Sequence, residues 1–384
     1  MRRRPTRPAR LARPMRLAGS ARQHGVALII ALILVALATI LATKLSFDGW
    51  LERRRTIGII ATEQAYQFGA GAEALAADAL NQIGQSAQAS PNGSASPNGS
   101  ASTSGSTSSQ LGTPAVPGQS AQQVNLTQPW AQPTQPLPIT SPDDPEAEPI
   151  GTLQGVIQDM QGRFNLNNLA HMIPQNGQNG QTTQNGQWIE DPQPLEQFQR
   201  LLVSVGLEPK WAGIARDWID PDDQPGQPDG AEDSVYTMQN PPYRTGNWPM
   251  MSPAELMNLP GFGADRYRKI APYVTALPTA TAKINVCTAP ALVLESLAES
   301  LSGEYSDEVL ANGRQTGCFP DVTTLNHVLG QNAQLLQTRF GDTSQFFRLT
   351  TRVMLGTTEF TLYSLLYRGP GGKVTPLVRS FGTL

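Results

Sequence analysis

GVALIIALILVALATILAT, residues 25–43, decides how this chain is read. Val26 to Thr43 carries no charge, Thr39 is the only polar residue before Thr43, and Lys44 is the first charged one. Eighteen uncharged, mostly apolar residues meet the threshold for a helix across a hydrocarbon core of ~30 Å, at a rise of ~1.5 Å per residue. Residues 1–25 hold eight Arg (2, 3, 4, 7, 10, 13, 16 and 22) and no acid. That bias keeps the N-terminus cytoplasmic and sends the rest across the membrane. A cleaved secretory signal would have a shorter apolar region and a small-residue cleavage site, which ATKLS (42–46) does not resemble. A plain signal anchor fits the same pattern.

Outward from this run, no Pro occurs between Val26 and Ile83. Ile59, Ala61, Ala65, Phe68, Ala72, Leu75, Ala79 and Ile83 recur at mostly three- and four-residue steps. The spacing predicts one long helix over 26–83, membrane-embedded over 26–47 and amphipathic beyond, reaching ~85 Å. Residues 84–149 are low-complexity: SPNGSASPNGSAS, then frequent Pro, with no charge from Gly84 to Pro142. Such a stretch has too little apolar surface to offset ordering entropy, so it reads as a disordered linker. QNGQNGQTTQNGQ (175–187) is a second insertion of this kind.

The 384 residues leave room for two or three domains. Gly and Pro total 67 residues, above the usual combined share of about 12%, which excludes a single compact globule. Two Cys and three His exclude a disulfide-dense scaffold, a four-cysteine zinc module and His-rich metal catalysis. Without residues 1–25 the chain has 20 basic against 31 acidic side chains, a net charge of −11, so bulk charge does not hold a nucleic acid. No P-loop, GxSxG, HExxH or CxxC is present, and nothing in the sequence points to an enzyme.

From residue 150 onward the chain reads as a globular head. The mixture of apolar and polar residues around Leu153, Val156 and Ile157 predicts one or two strands. Helices are expected at 194–206, 209–219, 252–258, 264–274, 289–301, 305–312 and 321–337, a helical region spanning about 190–335. FFRLTTRVMLG and EFTLYSLLYRG, then GPGGK and VTPLVRSFG, predict antiparallel strands over 345–384. The fold class is α+β: a long helix, an antiparallel sheet and an inserted all-α domain.

Three constellations stand out. DWIDPDDQPGQPDGAED (217–233) places seven acids in seventeen residues with no base. Their repulsion is relieved by deep solvation or by a cation, and all-oxygen ligands suit Ca²⁺; the spacing is not that of an EF-hand. Cys287 and Cys318 would sit in an oxidising compartment after export, either bonded to each other or as two buried thiols. SPAELMNLPGFGADRYRKI (252–270) resembles a helix–hairpin–helix, and KINVCTAPALVLESL resembles the opening of such modules in DNA-uptake proteins. Its backbone amides, with Arg266, Arg268 and Lys269, would serve a membrane-anchored DNA-binding protein, the alternative reading.

RQHGVALIIA, with Gly25 between the basic leader and the apolar run, resembles the leader junction of type IV pilins and pseudopilins. GRFNLNNL (162–169), DWID followed by GAED (217–233), PYR (242–244) and KINVCTA (283–289) resemble segments of the minor pseudopilin K family of type II secretion systems. Most pilins carry Glu at the fifth mature position; Ile30 stands there, as in that family. The resemblance implies a pseudopilin fold and cleavage by prepilin peptidase between Gly25 and Val26, with methylation of the new terminus. It implies an inner-membrane location with a periplasmic head, and a place at the pseudopilus tip that helps start assembly. The partners it implies are minor pseudopilins I and J and other pseudopilins, with no nucleic acid. It also implies calcium in the helical domain, for which the expected ligands are Asp220, Asp222, Asp229, Glu232 and Asp233.

Overall fold

The computed structural model describes residues 24–83, 122–140, 144, 148–174 and 188–381. Helix α1 (His24–Asn81) is unbroken over 58 residues. The chain forms two compact units, one ending at Ala61 and one beginning at Thr62. In the first, the large apolar side chains from Val26 to Ile60, half-buried Leu51 apart, are solvent-exposed, as expected of a helix whose neighbours are lipid or other helices. Among the described residues, α1 is the one helix long and apolar enough to cross a membrane.

In the second unit, α1 buries Ala65, Ala72, Ala76 and Leu80 against a sheet. The buried stripe differs from the expected one: Leu75 is 58% exposed, while Ala76 and Leu80 take the inner face. Small residues win these positions because the helix lies close to the strands. A Cβ on Gly69 would come within 3.1 Å of Leu362.

After α1 come a 3₁₀ turn (Pro129–Ala131), β1 (Leu137–Ile139), β2 (Gly151–Asp159) and β3 (Phe164–Asn165). Then follow the hairpin of β4 (Met172–Pro174) and β5 (Trp188–Glu190), α2 (Pro192–Ser204), α3 (Trp211–Asp217) and α4 (Asp233–Tyr236). A 3₁₀ segment (Pro253–Asn258) precedes α5 (Gly263–Ile270), β6 (Val274–Thr275), β7 (Ile284–Asn285), α6 (Ala291–Ser296), α7 (Asp307–Gly313), α8 (Val322–Leu329) and α9 (Ala333–Leu336). The chain closes with β8 (Phe340–Gly341), β9 (Phe346–Leu355), β10 (Thr358–Arg368) and β11 (Val374–Phe381).

The main sheet is antiparallel in the order β1-β2-β9-β10-β11. Strand β9 lies between β2 and β10, with Asp159 opposite Phe347 and Tyr367 opposite Phe346. Phe347, Leu349, Val353 and Leu366 face α1 in one core. A second core fills the helical region, where Phe164 stacks on Phe198 at 5.1 Å. Each fully buried side chain of this size contributes about 1.5–3 kcal/mol.

The asparagines of the GRFNLNNL segment are structural staples. Asn167 Nδ2 donates to the carbonyls of Met250 (2.9 Å) and Leu277 (2.8 Å), and its Oδ1 accepts from Met250 N (2.8 Å). Asn165 and Asn168 make equivalent links to 277–282.

The linker expected over 84–149 is corrected in part. Residues 84–121 lie outside the described residues, as do 175–187 and most of the basic leader. Residues 122–140, however, belong to the head. Val124, Trp130 and Ile139 are buried in the α1–sheet core, with Trp130 edge-on to Phe347 at 5.5 Å. Val124 N donates to Asp342 O at 2.8 Å, and β1 pairs with β2. Three apolar anchors and one edge ladder suffice to hold a proline-rich segment that needs few backbone donors.

Candidate metal centre

Helix α3 buries Trp211, Ala212 and Ala215, and its last residue, Asp217, is pulled inward with them. Trp218 and Ile219 continue into the same core, with Trp218 5.4 Å from Tyr236 of α4. Between these anchors the chain loops out and returns at Glu232. Asn247, at φ +43°, braces the loop: its N–H donates to Trp218 O (3.0 Å) and its Nδ2 to Asp223 Oδ1 (3.1 Å). Trp218 Nε1 donates to Glu255 Oε2 at 3.2 Å, and Glu255 also closes a capping box with Ser252.

This folding brings Asp217, Asp220 and Glu232 together, with one carboxylate oxygen of each within 4.8 Å of the others. They are 0%, 7% and 3% exposed. Asp217 Oδ2 accepts from Gly226 N at 2.9 Å. Asp217 Oδ1, Asp220 Oδ1 and both oxygens of Glu232 are buried and accept no hydrogen bond. Burial, joined by the charges of Asp217 and Asp222, pushes Asp220 up to about 7. Burial and the same neighbours, with Asp223, push Glu232 up to about 7. Burial also raises Asp217, although Gly226 and Arg216 oppose it. Arg216 Nε is 3.7 Å from Asp217 Oδ1, but its Nη1 is held by Glu190 at 2.6 Å. A Cβ on Gly226 or Gly230 would run into the Asp217 carboxylate, so both glycines leave the cradle open.

Orphaned buried carboxylates cost several kcal/mol each unless a cation or proton satisfies them. An all-oxygen set of this kind fits a hard divalent cation, calcium above the smaller and stricter magnesium. The residues present therefore fit the metal expected for this segment.

The acids brought together differ from the five expected as ligands. Asp220 and Glu232 are in the cluster. Asp222 is exposed on the loop and acts on it through its charge, while Asp229 is exposed and outside it. Asp233 is occupied elsewhere, accepting from Thr245 N and Oγ1 (3.1 and 3.0 Å) and pairing with Arg244 at 3.2 Å. Asp217 is the member of this cluster that was not among the expected ligands. Its D-x-x-D spacing with Asp220, one helical turn apart on a helix end, is the signal that points to it.

Cys287 and Cys318 are joined in a disulfide with Cα atoms 4.5 Å apart. Buried Arg314 ties the same two segments, donating from Nε to Phe319 O (2.7 Å) and from Nη2 to Val286 O and Ala289 O (2.8 and 2.7 Å). Gly25 and Val26 lie in the first turn of α1.

The helix–hairpin–helix-like unit forms with Gly261 and Gly263 at positive φ. Arg266 and Arg268, however, turn to the unit's own backbone and acids. Arg266 Nη1 donates to Gly261 O and Phe262 O and stacks over Trp211, and Arg268 pairs with Asp265. The DNA-binding alternative finds no support in this arrangement.

Comparison with known proteins follows the same lines. The family model "Type II secretion system (T2SS), protein K" matches residues 162–279. The type II secretion system protein K of Klebsiella pneumoniae is 32% identical over 271 residues, covering 70% of this chain and 67% of that protein. That of Pseudomonas aeruginosa is 29% identical over 366 residues, covering 94% and 93%. Among solved structures, a chain of the GspK–GspI–GspJ complex from enterotoxigenic Escherichia coli superposes with a TM-score of 0.62 at 23% identity, covering 86% of this chain and all of that one. The chain belongs to the type II secretion system protein K family.

Proposed function

We infer that this chain is a minor pseudopilin that caps the pseudopilus tip and helps start its assembly for protein export. The observation that carries the reading is one uninterrupted helix, apolar and uncovered over its first half, that continues into an α+β head of the family's fold. An apolar helix without side-chain partners is made to join other helices in a bilayer, and Ile30 in place of an intramembrane carboxylate suits a subunit with nothing stacked above it. Its work is assembly, not catalysis. Minor pseudopilins I and J are the partners, in line with the complex in which the E. coli relative was solved. The N-terminus is cytoplasmic, the helix spans the inner membrane, and the head is periplasmic.

Prepilin peptidase cuts between Gly25 and Val26, leaving the apolar run as the assembly helix. Protein purified from native membranes is expected to begin at N-methylated Val26, read by intact mass. A product beginning at Met1, or beyond the apolar run, overturns the identity.

Asp217, Asp220 and Glu232 would hold calcium, which would supply the charge that neutralises them; the Asp222 carboxylate lies within electrostatic range. Free calcium at a hundred times Kd should raise stability by about 2.7 kcal/mol. Chelation should reverse the rise, and Asp217→Asn should abolish it. A melting curve indifferent to chelator removes the metal.

A further inference from the structure

Directly after the apolar run, α1 carries Lys44, Asp48, Glu52 and the triplet Arg53, Arg54 and Arg55. These charges are sorted by face. Lys44, Asp48, Glu52 and Arg55 follow one another at three- and four-residue steps, so they share one side of the helix. Arg55 Nη1 pairs with Glu52 there at 3.3 Å. Phe47, Trp50, Arg53, Arg54 and Ile57 form another stripe by the same spacing, and no acid lies on it. Phe47 and Trp50 are ring neighbours at 6.1 Å, and the Arg54 guanidinium lies over the Trp50 ring at 4.6 Å. All of these side chains are exposed.

Height along the helix is equally specific. Arg53 is six residues past Phe47, about 9 Å along the axis, and the headgroup layer beyond the hydrocarbon is roughly 5–8 Å deep. Helical side chains tilt toward the helix N-terminus, here toward the membrane, so both arginines reach back into that layer. Aromatic rings at this level are interfacial anchors. Stacking on Trp50 holds one guanidinium in place while leaving its N–H edge free for a planar, bidentate acceptor.

We propose that Arg53 and Arg54, braced by Trp50, form a binding site for the phosphate of an anionic phospholipid on the face of the membrane opposite the basic leader. The site rests on the membrane-spanning reading of α1. It fixes the depth and rotation of the helix before extraction, and releasing it is part of the cost of leaving the bilayer.

The test is native mass spectrometry of the full chain from micelles doped equally with phosphatidylglycerol and phosphatidylcholine. Wild type should retain phosphatidylglycerol preferentially. The preference should fall about fivefold per arginine, roughly thirtyfold for R53Q/R54Q, while R55Q, whose partner is Glu52, should retain it. Equal retention of the two lipids, an undiminished preference in R53Q/R54Q, or an equal loss in R55Q overturns the site. Displacement of the lipid by inorganic phosphate makes it a site for free phosphate and overturns the lipid assignment. Alkaline carbonate extraction of wild type from vesicles separates the two readings: a chain that washes off overturns the membrane reading and the site with it, whereas one that stays while showing no lipid preference overturns the site alone.

Discussion

Glu73 and Arg379 join the C-terminal part of α1 to the edge strand of the sheet, and they are unequally placed. Arg379 Nε and Nη2 donate to the two Glu73 oxygens at 2.8 and 2.7 Å, and Ser364 Oγ donates to Oε1 at 2.6 Å. The Glu73 side chain is 8% exposed and that of Arg379 42%. Removing the carboxylate leaves a guanidinium that water can reach, so Glu73→Ala should cost about 1.5–3 kcal/mol, the usual worth of hydrogen bonds to charged groups. Removing the guanidinium leaves a buried carboxylate with one hydroxyl donor, so Arg379→Ala should cost more, about 3–5 kcal/mol. For a head of this size 1 kcal/mol shifts Tm by about 2–4 °C. Glu73→Ala should therefore melt roughly 3–12 °C below wild type and Arg379→Ala lower still. Near-UV circular dichroism of the full chain in detergent reads this ordering, and the double variant should fall no lower than Arg379→Ala. An Arg379→Ala protein that melts above Glu73→Ala would refute the argument from unequal burial.

The same pair sets a pH dependence. Burial alone would raise Glu73, but the hydrogen bonds from Arg379 and Ser364 outweigh it and hold the carboxyl below its ordinary value. A depressed carboxylate stabilises fully above its unfolded pKa of about 4.3 and loses that contribution as pH falls through the folded value; the Tm gap between wild type and Glu73→Gln should be flat near neutrality and close on acidification. Trp130→Ala empties a buried site against Phe347 and should cost about 3–5 kcal/mol; a change under 1 kcal/mol would return residues 122–140 to the linker. Reducing the Cys287–Cys318 bond, whose ends are 31 positions apart in the sequence, should cost about 3–4 kcal/mol in chemical unfolding. Because Arg314 bridges the same segments, the reduced head should still fold.

Much of the fold was legible because its signals are local. A charge-free run of eighteen residues forces a helix whatever surrounds it. Helices α2, α7 and α8 announce themselves through Asp191, Ser306 and Asp321, each of which caps a backbone N–H. The β-branched and aromatic residues of β9 and β10 were visible for the same reason. The carboxylate cluster was legible only as a density of acids. Which three converge depends on Gly226, Gly230 and Asn247 folding the loop back on α3, and that closure has no period to read. The face of α1 was misjudged at Leu75 because a closely approaching sheet prefers Ala76 and Gly69 to a larger side chain. Trp130 and Val124 were hidden by the proline-rich composition around them, since three anchors in nineteen residues make no periodic pattern.

Ile83 and Val124, on either side of the interval from Gly84 to Ala121, are both moored to the head. On one side Arg368 Nη2 grips the Ile83 carbonyl at 2.8 Å; on the other, Asn285 Nδ2 grips the Val124 carbonyl at 2.9 Å. Closing a chain between fixed posts grows costlier only with the logarithm of its length, about 0.6 kcal/mol per doubling. Lengthening or halving the interval between these posts, by grafting an epitope, a fluorescent module or a protease site or by cutting half of it out, should therefore cost little in closure entropy and leave the Tm of the head nearly unchanged.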